Sequence, residues 1–248
     1  MNIVITGAAG AFGRVLTPVL SERHTVSPTD IRMAPGPRMI VRADVLNPED
    51  VISLCADVDA VIHLAQAVRQ EDLSEAANEA LILDTRLKGT YNVLRAAADA
   101  GVRRVVHLSD LCIFDGYGED IIVSEDFLPL PDTSAYQQSV YLSEWIAREF
   151  ARQYPGLVVT LRIGQLVHED QLAPGTPLRY DWLDVRDAIE AVEKAITIEH
   201  VNGFGPWGLY NLSADMPGSR YALSKIASGP FGFRPVHNFE AWWKEGAA

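Results

Sequence analysis

Short apolar runs alternate with helix-period segments from the first residues onward. Ile3-Val4-Ile5 has the length and composition of a buried strand, and Gly13 to Ser21 the spacing of the helix that follows it. Thr25 to Thr29 predicts a second strand that ends at Asp30, and Met39 to Arg42 a third. Asn47-Pro48-Glu49-Asp50 reads as a helix start, with proline in the first turn where its missing N–H costs nothing. Ala60 to Leu64 predicts a fourth strand, and a long helix runs from Glu75 to Ala100, stopped by Gly101. Val105 to Leu108 makes a fifth strand, Ser139 to Gln153 a second long helix, and Leu157 to Leu161 a sixth strand.

Strands of four to six apolar residues separated by helices imply βαβ units and a parallel sheet buried on both faces. The expected fold class is therefore α/β, a Rossmann-type doubly wound parallel sheet. After Arg162 the pattern becomes irregular and rich in Pro and Gly, broken by a helical segment from Asp187 to Ile198. Residues 1–164 are read as the nucleotide-binding domain. Residues 165–248 are read as a small C-terminal substrate lobe, partly packed on the first as one unit.

A formal net charge of -12 argues against nucleic acid, which requires a basic footprint. No basic run suggests an anionic membrane surface, and no apolar run approaches the ~20 residues that span a bilayer. Cys55 and Cys112 are the only cysteines, so no disulfide framework is implied. The first residues lack a basic leader. A reducing, cytoplasmic setting is expected.

The segment Thr6-Gly7-Ala8-Ala9-Gly10-Ala11-Phe12-Gly13 lies between the first strand and the first helix. Gly7 permits the tight turn, Gly10 lets backbone approach a pyrophosphate, and Gly13 lets helix and strand pack closely. The helix N-terminus then offers unpaired N–H groups and a positive dipole end to phosphate. No Gly-Lys-Ser/Thr follows, which excludes a P-loop. Asp30 closes the second strand, where a carboxylate accepts hydrogen bonds from ribose hydroxyls and repels a 2′-phosphate. The expected cofactor is NAD. Arg14 and Arg32 leave NADP open, since either could pair with a phosphate.

The Gly-x-x-Gly-x-x-Gly spacing resembles short-chain dehydrogenases/reductases. Further segments resemble their extended branch, the NAD-dependent epimerase/dehydratase family. These are Asp44-Val45, His63-Leu64-Ala65, Gly89-Thr90-Tyr91-Asn92-Val93-Leu94, Gly101 to Val106, Leu161-Arg162-Ile163-Gly164 and Trp182 to Asp187. The short C-terminal lobe and Arg162-Ile163-Gly164 are similar to the uronate dehydrogenase subgroup. The resemblance implies that Asp44 and Val45 contact adenine and that Ala65, with Leu64 and Gln66, lines the ribose and nicotinamide side. It adds Ala9, Ala11, Phe12, Ile31 and Arg32 to the cofactor contacts, and Tyr136 at the reacting end.

The family's chemistry uses a Tyr-x-x-x-Lys pair, a Ser or Thr after the fifth strand, and often an Asn on the long helix. The lysine's charge lowers the phenol from ~10 toward neutrality. Here Tyr136, Ser139 and Glu144 are retained, but the lysine position holds Val140. The serine position holds Asp110, with Ser109 one place earlier, and the asparagine position holds Arg86. A carboxylate beside Tyr136 would raise the phenol's pKa.

Two readings follow. In one, Arg86 restores the lost positive charge and works with Asp110 and Tyr136 as a rebuilt proton relay, Tyr136 serving as acid/base and Asp110 or Ser109 holding the substrate. In the other, Arg86 and Asp110 form an ion pair that plugs a disused site, leaving a nucleotide-binding regulatory protein. The resemblance implies a small-molecule substrate. The subgroup's substrate residues are not recovered around Val68, Leu111 or Gln165, so the sugar acid does not carry over.

Arg69 and Arg179 are candidates for meeting an anionic substrate, whereas Arg162 belongs to a core strand in the family. Cys112 reads as a packed residue, because no motif sets a histidine beside it. His63 reads as structural, and the six histidines show no metal spacing. Trp242-Trp243 reads as packing for the terminal lobe. The two long helices carry apolar stripes including Leu81, Tyr141, Leu142, Trp145 and Ile146, and in related proteins such helices pair across a dimer. A homodimer is expected.

Overall fold

Alternating side chains divide each central strand between two apolar layers, and helices cover both. The computed structural model describes residues 1–33, 39–201 and 205–245. In chain order the elements are β1 (Asn2–Thr6), α1 (Ala11–Leu20), β2 (Thr25–Asp30), β3 (Val41–Arg42), α2 (Pro48–Leu54), β4 (Ala60–His63) and α3 (Glu75–Asp99). Then come β5 (Arg104–Asp110), α4 (Ala135–Gln153), β6 (Leu157–Ile163), β7 (Gln165–Val167), β8 (Trp182–Asp184) and α5 (Val185–Thr197). The chain finishes with β9 (Trp207–Leu212), α6 (Ser224–Ala227) and α7 (Glu240–Glu245).

Seven parallel strands form the main sheet in the order β3-β2-β1-β4-β5-β6-β9. Strand order reverses beside β1, the arrangement of a doubly wound sheet that opens a crevice at the strands' carboxyl ends. Ile3, Ile5, Ile62, Val106, Leu108, Val159 and Leu161 face Leu16 and Leu20 of α1 and Ala188, Ala191 and Val192 of α5. Val4, Val61, Val105 and Val158 face Val51 of α2, Val93 and Leu94 of α3, and Ala147 and Ala151 of α4.

Boundaries differ from the sequence expectation where caps decide them. The first helix begins at Ala11 rather than Gly13, so Gly10 is its N-cap. The fourth helix begins at Ala135 rather than Ser139, because the Ser134 hydroxyl accepts the Gln137 N–H at 3.2 Å. That start places Tyr136 in the first helical turn. The third strand shortens to Val41–Arg42.

Beyond residue 164 the chain divides its packing. β9 joins the main sheet beside β6, and α5 covers the α1 side of the core. β7 pairs with β8 in a separate two-stranded ribbon. Trp182, Ala214, Met216 and Phe239 form a further apolar cluster against which Trp242 and Trp243 pack.

Candidate functional site

A cleft of about 1020 Å³ runs across the carboxyl ends of the sheet. Its walls include the whole set of sequence-selected cofactor positions: Gly7, Ala9 to Gly13, Asp30, Ile31, Arg32, Asp44, Val45, Leu64, Ala65, Gln66 and Tyr136. Arg86, Ser109 and Asp110 line the same cleft.

The glycine loop has steric reasons at two positions. Gly7 has φ +75°, and a Cβ there would sit 2.7 Å from the backbone between Leu64 and Ala65. At Gly13 a Cβ would lie 2.6 Å from the Ala8 Cα, so only glycine lets α1 rest on the loop. The α1 N-terminus has neither a capping side chain nor an acidic residue in its first turn. Its N–H groups are therefore available to an anion.

Asp30 is buried at the end of β2, and its Oδ2 accepts the Ala9 N–H at 3.0 Å. Its Oδ1 accepts the Arg32 N–H at 2.9 Å, and the Arg32 guanidinium lies 3.3 Å away. This carboxylate thus ties the glycine loop to the strand end. Asp44 caps the following turn through Leu46 N–H at 2.8 Å, fixing Val45 against the cleft.

At the other end of the cleft the departures from the family pattern meet. The Tyr136 hydroxyl donates to Asp110 Oδ2 at 2.8 Å. The Arg86 guanidinium lies 5.8 Å from the centre of the Tyr136 ring. Arg86 is 6% exposed and donates to the Leu108 carbonyl at 3.2 Å and to Gln66 Oε1 at 2.8 Å. Among the described residues it forms no ion pair with Asp110, so the plugging pair drawn from the sequence does not form. Tyr136 couples the two, its ring toward the cation and its hydroxyl on the carboxylate. Burial pushes the Tyr136 phenol well above its ordinary value; Asp110 adds to the rise and Arg86 opposes it.

Ser109 is buried, and its hydroxyl donates to Glu144 Oε1 at 2.5 Å. Glu144 also accepts two bonds from the Arg162 guanidinium, at 2.8 and 2.7 Å. Sequence reasoning noted Glu144 and Arg162 separately but not this buried ion pair, which joins α4 to β6. Val140 is fully buried with Leu111, Ile113, Phe114, Val123 and Tyr221, in an apolar cluster rather than on the cleft wall.

The profile of the NAD dependent epimerase/dehydratase family matches residues 3–171. The chain belongs to this family. It is 26% identical to L-arabinose 1-dehydrogenase (NAD(P)(+)) of Haloferax volcanii, over 96% of this chain and 97% of the relative. It is 27% identical to a uronate dehydrogenase of Pseudomonas putida, over 79% of this chain and 71% of the relative. Among solved structures it resembles glucuronic acid dehydrogenase from Chromohalobacter salexigens. The TM-score is 0.80 at 24% identity, over 98% of this chain and 87% of the other.

Other family-like positions resolve into packing. His63 accepts or donates to Thr6 Oγ1 at 2.7 Å and Thr90 Oγ1 at 3.1 Å, and stacks on His107 at 6.1 Å. Burial, with Arg86 adding, lowers its pKa to about 3. Burial, with Asp110 adding, pushes the Cys112 thiol far up, which removes thiolate character. Arg69 pairs with Glu75, and Arg179 pairs with Asp181 at 2.7 Å. No cluster of three or more His, Cys, Asp or Glu side chains suited to a metal occurs among the described residues. No helix there is long and apolar enough to cross a membrane.

Residues lining the cleft that no motif announced include Leu81 and Thr85 of α3 and Leu166 of β7. Their assembly depends on how α3 and β7 dock against the sheet, which local sequence does not encode.

Proposed function

We propose that this protein binds NAD and acts as an oxidoreductase on a hydroxyl-bearing carbon of a small, sugar-like substrate. The observation that carries this reading is the Tyr136–Asp110 hydrogen bond at one end of the cleft, with Arg86 facing the tyrosine ring. Bound NAD supplies the hydride acceptor or donor. The uncapped α1 N-terminus would hold the pyrophosphate and Asp30 the adenosine ribose. Asp44 and Val45 would flank adenine, and Leu64, Ala65 and Gln66 the nicotinamide side. Tyr136 and Asp110 form the proton-handling pair, and Arg86 supplies the positive charge that Val140 does not. Ser109, committed to Glu144, positions the end of β5 rather than meeting substrate.

The named relatives act on an aldose and on uronates, which sets the substrate class to test. Arg69 and Arg179 are both engaged by carboxylates, which puts neutral aldoses ahead of sugar acids. Asp30 favours NAD over NADP, with Arg32 softening the preference. We further infer a cytoplasmic homodimer joined through α3 and α4, where Tyr91, Leu142 and Trp145 are exposed.

The test is titration with NADH and NADPH, followed by a turnover screen over aldoses, polyols and uronates. Tight NADH binding with oxidation of one sugar class supports the reading. A second reading, a nucleotide-binding regulator, draws on the buried Val140 at the lysine position and on the raised Tyr136 phenol. NADH binding without turnover of any panel member would favour it.

A further inference from the structure

We propose that the proton released by the reacting hydroxyl ends on the carboxylate of Asp110, with Tyr136 remaining a neutral phenol before and after the reaction. This assignment rests on the oxidoreductase reading above and specifies how its proton is handled.

The geometry of Asp110 is fixed at both oxygens. It is the N-cap of the 3-10 turn Leu111–Phe114, and its Oδ1 accepts the Cys112 N–H at 2.8 Å. Its Oδ2 accepts the Tyr136 hydroxyl at 2.8 Å. An ionised carboxylate only accepts, so the tyrosine's single proton is already committed to Asp110. A second proton arriving at Tyr136 Oη must displace the first onto Asp110. A free phenolate would instead stand beside a carboxylate, and like charges at that distance cannot both be held cheaply.

Arg86 supplies only part of the compensation that a lysine gives. Val140 carries no charge and is enclosed in an apolar cluster. The Arg86 guanidinium faces the ring, and its N–H groups serve the Leu108 carbonyl and Gln66. The titratable and charged groups around Asp110 are Tyr136 from α4, Arg86 from α3, Cys112 and Asp115 from the segment after β5, and Tyr221 from the C-terminal segment. Cys112, Tyr136 and Tyr221 are all pushed toward their neutral forms, and burial pushes Asp115 in the same direction. Among these, Asp110 is the group placed to accept a proton through a bond that already exists.

The step balances as follows. The substrate O–H bond breaks and its proton joins Tyr136 Oη, while the tyrosine's own proton moves to Asp110 Oδ2. The substrate C–H electron pair leaves with its hydrogen to the nicotinamide-class acceptor, and the C=O bond forms. Tyr136 is unchanged, Asp110 is protonated, and solvent later takes its proton. In the reverse direction protonated Asp110 is the acid.

The experiment uses the full chain with Asp110→Asn, Asp110→Ser and Tyr136→Phe. Asn and Ser both preserve the cap at position 110, which guards against a misfolded variant. Oxidation by the wild type should show no rise tied to phenol ionisation. Asp110→Asn should lower kcat about 10²–10⁴-fold, with NADH affinity unchanged. Independently of turnover, difference absorbance against Tyr136→Phe reads the phenolate directly. In Asp110→Asn the Tyr136 phenolate should appear about one pH unit or more below its position in the wild type. An active wild type whose Asp110→Asn form keeps full rate, or a wild-type phenolate already present near neutrality, overturns this assignment alone. A wild type that binds NADH and oxidises no sugar overturns the oxidoreductase reading, and the assignment with it.

Discussion

His63 shows how a single buried group sets pH behaviour. Its folded-state pKa of about 3 lies below the ordinary histidine value of 6.5, so folding favours the neutral ring. The stability it contributes is complete above the unfolded value and is lost as pH falls from there toward the folded one. The expected slope is about 1.4 kcal/mol per pH unit over that window. Urea unfolding at several pH values should show His63→Gln flattening the acid dependence relative to the wild type. Gly13 makes a steric prediction at the same scale. Gly13→Ala forces the new Cβ onto the Ala8 backbone, which has no flexible end to move aside. It should destabilise by about 1–3 kcal/mol and weaken NADH binding in parallel, because the same displacement moves the α1 N-terminus. NADH affinity equal to wild type would contradict the role given to this contact. The glycines and Asp30 are readable from sequence because backbone sterics and a single carboxylate act locally. The partners of Arg86 were not, since Leu108 and Gln66 lie 22 and 20 residues away.

At the scale of elements, α4 carries the largest difference between pattern and structure. The apolar spacing starts the helix at Ser139, but the Ser134 cap sets the start at Ala135, four residues earlier, and brings Tyr136 into its first turn. A helix begins where an N–H acceptor is available, and hydrophobic periodicity does not report that. The same helix is anchored to β6 by the Glu144–Arg162 pair, each side chain 3% exposed. Glu144→Gln leaves a buried guanidinium uncompensated and should cost about 3–5 kcal/mol in urea unfolding. Pairing Glu144→Leu with Arg162→Met should cost less than either charge removed alone, which separates burial of a lone charge from loss of an attraction. Ser109 loses its acceptor in the double variant, whereas Glu144→Gln keeps an oxygen for it, so the end of β5 should loosen and turnover fall most in the double variant.

Across the whole molecule, the last strand of the main sheet comes from a segment whose Gly and Pro content disguises it. β9 completes the sheet beside β6, and α5 closes the α1 face, so the region after residue 164 contributes to both the core and the ribbon. On the opposite side α3 and α4 present Tyr91, Leu142 and Trp145 to solvent. If a second copy covers this face, Trp145→Glu should shift sedimentation from dimer to monomer while NADH affinity is retained. A wild type that sediments as a monomer at micromolar concentration would contradict the homodimer.

The sequence by itself determined the parallel α/β architecture, the glycine loop and the acidic close of β2, and the family resemblance pointed out the altered positions 86, 110 and 140. Each of these follows from local causes: alternation buried on two faces, sterics that only glycine satisfies, or the identity of a side chain at a motif position. The tertiary structure decided how the altered positions meet. Arg86 comes from α3, Asp110 from β5 and Tyr136 from α4, and their separation along the chain fixes neither distance nor orientation. Packing across the sheet put the cation on the ring and the hydroxyl on the carboxylate, an arrangement that follows from how three elements dock rather than from any one of their sequences.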